Sequence, residues 1–210
     1  MKNIDTLCVR AGYKPKNGEA NTLPIYQSTT YYYESSDERA DLFDLKKPGH
    51  IYSRLSNPTN SCFEEKLAAM ENGKLAIACS SGQSATTLAI LNVCFAGDNI
   101  ICSSAVYGGT YNLFNVTLRK YGIETRFVSP TASKEEIEKL VDDKTKAIVG
   151  ETIANPAIVF LDFEKFSSIA KKYGILFIVD NTLATPALIR PGDLGANIIL
   201  HSTSKYLDGH

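Results

Sequence analysis

The stretch HSTSKYLDGH, residues 201–210, sets a lysine, Lys205, among the hydroxyl side chains of Ser202, Thr203 and Ser204. Such an amine is either a solvated surface charge or, where desolvation lowers its pKa, a nucleophile toward a carbonyl group. Three more places carry residues of comparable interest. Asp180 directly follows the apolar run ILFIV. An acid there is costly to bury unless it caps a helix or pairs with a cation. Ser80-Ser81-Gly82-Gln83 follows KLAIAC and precedes a helix-like stretch. It reads as an ordinary turn, or as backbone N–H groups and a helix dipole aimed at an anion. Tyr107, before Gly108-Gly109, is either a ring covering the core or a stacking surface for a planar ligand.

These residues share a placement, because each follows a short apolar run. KLAIAC (74–79), NIICSS (99–104), ETRFVS (124–129), TKAIVGE (145–151), ILFIVD (175–180) and ANIILHS (196–202) read as strands. Helical patterns lie before and between them. FEEKLAAMEN follows Asn60 and Ser61, with Phe63, Leu67 and Met70 on one face, and further helices are expected near 83–95 and 110–121. Ser133 with Glu136 makes a capping box before Ile137, Leu140 and Val141. Asp162 caps FEKFSSIAKKYG, which ends at Gly174, whereas NTLATP after Asp180 does not look helical. About six strands alternate with helices, and the strands are nearly continuous apolar runs. That is the pattern of a mostly parallel α/β sheet with helices on both faces. Ligands of such sheets sit beyond the carboxyl ends of the strands. Glu151 and Asn155-Pro156 therefore join the candidate positions.

Residues 1–57 differ. They are irregular and aromatic-rich (YYYESS), with little that could be buried locally, so they are expected to lie on another surface. Residues 58–210 form the regular part. The chain of 210 residues has 44% hydrophobic and 21% charged residues, enough for a sizeable core. Its 22 basic and 23 acidic residues leave a net charge of −1, which gives no electrostatic basis for a nucleic-acid or anionic-membrane partner. The five cysteines have no C-x-x-C spacing and the three histidines are scattered, so no metal site is expected. Cysteines in apolar runs, no signal-peptide pattern and no membrane-length apolar run point to a cytoplasmic protein.

Taken together, the strand-end residues fit one ligand. It has a phosphate, a flat ring, a ring nitrogen that wants a carboxylate and a carbonyl that takes an amine. Pyridoxal 5'-phosphate has all four. Ser81, Gly82, Gln83, Ser202 and Ser204 would hold the phosphate, Tyr107 would stack on the ring, Asp180 would hold the pyridinium proton and Lys205 would form the Schiff base. At these residues the sequence resembles the Cys/Met-metabolism family of pyridoxal-phosphate enzymes. The motifs PIYQSTT (24–30), IYSRLSNPT (51–59), SSGQSA (80–85), VYGGTYNLF (106–114), ETIANP (151–156), VDNTLATP (179–186) and HSTSKYLDGH occur in order.

The resemblance implies the three-layer sheet of the aspartate-aminotransferase kind (fold type I), with its C-terminal part absent from this chain. It implies that Tyr52 and Arg54 reach the phosphate of a neighbouring subunit, so that the site is shared within a dimer, with a tetramer as the usual assembly. It places Asn155 near the ring's phenolic oxygen, Thr182 near the cofactor and Glu151 behind it. Tyr107 then also serves proton transfer at the leaving group, and Lys205 is the base at the substrate α-carbon. VYGGTYNLF and SSGQSAT are most similar to O-acetylhomoserine sulfhydrylases, which join O-acetylhomoserine to sulfide or a thiol. Many methionine γ-lyases have Cys at the place of Gly109 and Met at that of Gln83. Methionine γ-lyase, cystathionine γ-synthase or γ-lyase activity, and an inactive cofactor-binding fragment are the alternatives. Family members are about twice this length, and the arginine that normally holds the substrate carboxylate has no counterpart here. Arg190 is not in a matching motif. A missing C-terminal half is expected to supply it.

Overall fold

The computed structural model describes residues 3–208; Gly209 and His210, the end of the last motif, lie outside it. The chain falls into two compact units, one up to Ala78 and one from Cys79.

In the first unit, helix α1 (Ile4–Arg10) starts at Asn3, whose side chain accepts the N–H of Asp5. Helix α2 (Ser36–Phe43) starts at Ser35 in the same way. Helix α3 (Pro58–Met70) begins five residues before the FEEKLAAMEN pattern. Asn57 caps it by accepting the Thr59 N–H at 2.8 Å, and Pro58 fills the first turn, where no N–H is needed. Of the described residues before Asn57 only Leu42 is buried, in keeping with the poverty of apolar pattern there. Polar contacts organise this region instead. Asn57 Nδ2 donates to the carbonyl of Tyr26 (2.9 Å) and to Ser53 Oγ (3.0 Å), and the Tyr26 N–H donates to Thr59 Oγ1 (2.9 Å). The two segments PIYQSTT and IYSRLSNPT are thereby joined, and an isolated antiparallel bridge pairs Thr30 with Tyr52.

KLAIAC forms no strand. It pairs with none of the described strands, and Leu75 and Ile77 are left 73% and 76% exposed. A short apolar run is only half a strand signal, since a strand also needs a neighbour to take its N–H and C=O groups.

The second unit opens with helix α4 (Gly82–Val93) and holds five strands: β1 (Asn99–Ser103), β2 (Glu124–Val128), β3 (Thr145–Glu151), β4 (Leu176–Asp180) and β5 (Ile198–Leu200). All neighbours are parallel, in the order β2-β1-β3-β4-β5. Between β1 and β2 one unbroken helical run spans residues 108–120: α5 (Gly108–Asn112), a π-helical turn at Leu113–Thr117, and α6 (Leu118–Lys120). The π turn left no trace in the apolar spacing. Helix α7 (Lys134–Glu138) carries both halves of the Ser133–Glu136 capping box. Helix α8 (Phe163–Tyr173) is capped by Asp162 and ends at Gly174, whose φ of 65° suits a residue without a side chain. A short helix α9 (Thr185–Leu188) and a 3-10 turn (Pro191–Leu194) lead into β5, so NTLATP does run into a helical turn.

Side-chain alternation along the strands makes the three layers. Ile100 and Cys102 join Ile90, Phe114, Leu118 and Val149 on one face; Ile101 joins Ile137, Ile148, Phe166, Ile169 and Phe177 on the other. Both faces being covered explains why the central strands are nearly continuous apolar runs. The chain leaves β1 outward to β2 and then returns to β3 on the other side. The reversal opens a crevice at the carboxyl ends of β1 and β3, the place where such sheets take ligands.

Candidate active site

The carboxyl edge of the sheet collects most of the residues singled out in the sequence. β3 and β4 are in register with Glu151 opposite Asp180, and Asp180 is in turn opposite Leu200 of β5. Parallel pairing thus sets two acids side by side at the edge and delivers His201, Ser202 and the turn bearing Lys205 next to them.

A series of contacts links three chain segments. Asp180 Oδ1 accepts the N–H of Thr182 at 2.9 Å. Thr182 Oγ1 accepts the N–H of Ser202 at 2.8 Å. Ser202 packs against the start of α4, where a Cβ built on Gly82 would lie 2.7 Å from Ser202 Cβ and 3.1 Å from its Oγ. Only a glycine lets the helix start come so near. Ser81 caps α4 by accepting the Ser84 N–H at 3.0 Å. The Gln83 side chain donates to Thr110 Oγ1 at 3.1 Å, so it is directed toward α5. A helix of 12 residues with hydroxyl groups at its N-terminus is suited to an anion. Gly82→Ala is expected to push α4 off the Ser202 turn and to destabilise the protein by about 1–3 kcal/mol, read by thermal denaturation.

On the other side of Asp180, the Tyr107 N–H donates to Glu151 Oε2 at 2.6 Å. The Tyr107 ring is 48% exposed. Asn155 is exposed, in the turn that follows β3. Ser204 and Lys205 are also exposed, within the turn that follows Ser202. The desolvation that the sequence reading asked of Lys205 is therefore not provided by this chain. Tyr52 and Arg54 belong to the first unit, where the Arg54 guanidinium lies 5.0 Å from the centre of the Tyr52 ring. Sequence reasoning missed Asn181. It is buried, accepts the Thr152 hydroxyl at 2.9 Å and donates to the Ile189 carbonyl at 3.0 Å, fixing the chain just beyond Asp180. Its place between two singled-out residues was the available signal.

The two acids are electrostatically unusual. Burial first, then the neighbouring Asp180, pushes the Glu151 carboxyl up to about 7 from 4.5, against the Tyr107 and Asn155 amides. Burial also pushes Asp180 up, while its bonds to Thr182 act the other way. The folded chain thus keeps a proton on Glu151 where the unfolded chain has lost it. That contribution to stability is complete below about pH 4.5 and is lost as pH rises through about 7, because the folded state binds more protons in between. Its size is on the order of 3 kcal/mol. Glu151→Gln is expected to flatten this loss, measured by urea denaturation of the cofactor-free protein at about pH 5 and about pH 8.

A sequence model described as Cys/Met metabolism PLP-dependent enzyme matches residues 5–210. The chain belongs to this family. Among curated relatives, the homocysteine/cysteine synthase of Saccharomyces cerevisiae is 44% identical over 99% of this chain and 48% of its own length. The O-acetyl-L-homoserine sulfhydrylase of Leptospira meyeri is 42% identical over 98% and 47%. A crystal structure of a putative O-acetylhomoserine (thiol)-lyase from Campylobacter jejuni superposes with a TM-score of 0.94 at 41% identity, covering 100% of this chain and 52% of that one. That protein carries N'-pyridoxyl-lysine-5'-monophosphate at its position 205. The chain spans about half the length of the curated relatives it matches. Pyridoxal phosphate is the family's cofactor, and the parallel three-layer sheet is the family's fold. No helix among the described residues is long and apolar enough to cross a membrane.

Proposed function

We propose that this chain forms the cofactor-binding part of a pyridoxal-phosphate enzyme that replaces the acetoxy group of O-acetylhomoserine with sulfide or a thiol, giving homocysteine or methionine and acetate. The observation that carries the reading is the linked series Gly82, Ser202, Thr182 and Asp180, which brings a helix N-terminus, a lysine-bearing turn and a partly buried acid to one edge. The fit to the cofactor is chemical as well as spatial. The glycine-only approach of α4 to Ser202 gathers hydroxyl groups at a helix N-terminus, which suits a phosphate. A carboxyl pushed up by burial gains from a cationic ring nitrogen that would offset its desolvation.

In this reading the N–H groups of Ser81, Gly82 and Gln83, with the hydroxyls of Ser202 and Ser204, hold the phosphate. Asp180 holds the proton on the ring nitrogen. Thr182 orients Asp180 through its N–H and the Ser202 turn through its hydroxyl. Tyr107 covers the ring and serves the leaving group, and Asn155 serves the phenolic oxygen. Lys205 anchors the cofactor and then moves the proton at the substrate α-carbon; its position in an exposed turn gives the amine room for both tasks. Bound pyridoxal phosphate supplies electron withdrawal from that carbon. Tyr52 and Arg54 act on the phosphate of a neighbouring subunit in a homo-oligomer, a role suited to a region that buries almost nothing of its own. The substrate carboxylate is held outside this chain. Five unpaired cysteines, two of them buried, support a reducing, cytoplasmic setting.

The test is a product assay on the full-length protein. O-acetylhomoserine with sulfide should yield homocysteine. Release of 2-oxobutyrate from methionine alone, without homocysteine formation from O-acetylhomoserine, would replace the sulfhydrylase reading by a γ-lyase.

A further inference from the structure

The placement of the Tyr107 ring has an unusual origin. The Tyr107 backbone is held at both ends: its N–H donates to Glu151 Oε2 at 2.6 Å, and its carbonyl accepts the Tyr111 N–H at 2.9 Å. Its side chain is not enclosed, being 48% exposed. The ring lies over the start of α5, across the space where residue 109 has no side chain. A Cβ built on Gly109 would lie 2.5 Å from Tyr107 Cε1, 3.1 Å from Cδ1 and 3.2 Å from Cζ. The first is an overlap and the other two are tighter than ordinary van der Waals contact. Gly108 is the contrast, since a Cβ there would meet nothing within 4 Å. Neither glycine has the positive φ that only glycine adopts readily, so alanine suits the backbone at both.

A side chain at residue 109 can be accommodated in two ways, by moving the helix start or by turning the ring. The two hydrogen bonds oppose the first. The open, solvent-facing side of the ring favours the second. We infer that Gly109 is a positioning residue, whose missing Cβ sets where the Tyr107 ring lies and so presents its face to the planar ligand. The inference rests on the reading of Tyr107 as the residue that stacks on the cofactor. It also separates the neighbouring glycines, only one of which has a steric reason to lack a side chain.

The test compares Gly109→Ala, Gly108→Ala, Tyr107→Ala and the double variant Tyr107→Ala/Gly109→Ala in the full-length protein. Crystal structures of the cofactor-free Gly109→Ala protein, the dissociation constant for pyridoxal phosphate, and kcat and KM taken separately are the readouts. Gly109→Ala should fold with an unlowered melting temperature, show Tyr107 turned away, and bind the cofactor on the order of tenfold more weakly, the size of one lost aromatic contact. Gly108→Ala should match the parent protein. On the Tyr107→Ala background, Gly109→Ala should add nothing, because its effect passes through a ring that is no longer there. A ring that stays in place in Gly109→Ala, or an equal loss of affinity on both backgrounds, overturns the inference. If Tyr107→Ala alone leaves cofactor affinity and kcat unchanged, the stacking reading falls, and the crystal structure still decides whether Gly109 places the ring.

Discussion

Lys205→Ala is expected to abolish the visible absorption that develops when the protein is reconstituted with pyridoxal phosphate, and to slow turnover by at least about a thousandfold. Two functions are lost with one amine. Alanine cannot form the covalent link to the aldehyde, and it cannot move the proton at the substrate α-carbon, a general-base contribution of about 10²–10⁴ by itself. The fold should be indifferent. Lys205 is exposed in the turn after Ser202, and of that turn's contacts, those of Ser202 are made by its backbone N–H and by its packing against Gly82. An unchanged melting temperature together with lost colour and activity separates this outcome from unfolding. Added methylamine, which supplies a free amine, should restore part of the proton transfer.

The second large effect is expected at Asp180. Asparagine has nearly the same shape and keeps an oxygen for the Thr182 N–H, now held at 2.9 Å, but it removes the charge. In the cofactor-free protein that change relieves a partly buried acid that desolvation already pushes up. Stability of the cofactor-free Asp180→Asn protein should therefore be unchanged or higher, above all at neutral pH and beyond. In the loaded protein the ring nitrogen loses its ionic partner. Breaking one side of a buried charge pair costs about 3–5 kcal/mol, so kcat/KM should fall by at least about a hundredfold. A variant that stabilises the empty protein while disabling the loaded one marks a residue whose cost in the fold is offset only by the ligand. Denaturation of the cofactor-free form and steady-state kinetics of the loaded form measure the two halves.

Most of the sheet was legible in the sequence because both its faces are covered. Strands such as ILFIVD then become nearly continuous apolar runs, and their ends coincide with polar residues that mark the carboxyl edge. Caps were equally readable at Ser133, Asp162 and Gly174, since each depends on residues within one turn. What escaped was non-local. KLAIAC has the composition of a strand but no neighbour among the described strands. The π turn at Leu113–Thr117 shifts register within one helical run without changing its apolar content. The exposure of Lys205 depends on what lies above its turn, which local sequence does not encode. The same limit applies to the site. Asp180, Thr182 and Ser202 were each noticed singly, but the hydrogen bonds joining them across about twenty residues appeared only in the fold. Asn181 and the steric role of Gly109 appeared there as well.

The most direct measurement is reduction of the reconstituted full-length protein with borohydride, followed by peptide mapping by mass spectrometry. Reduction makes the link between a lysine and the pyridoxal aldehyde permanent, so the labelled residue can be read from the peptide mass. The account predicts one pyridoxyl group per chain, on Lys205, and its absence when O-acetylhomoserine is added before reduction. A label on another lysine, or none on Lys205 in protein that has taken up the cofactor, would contradict it.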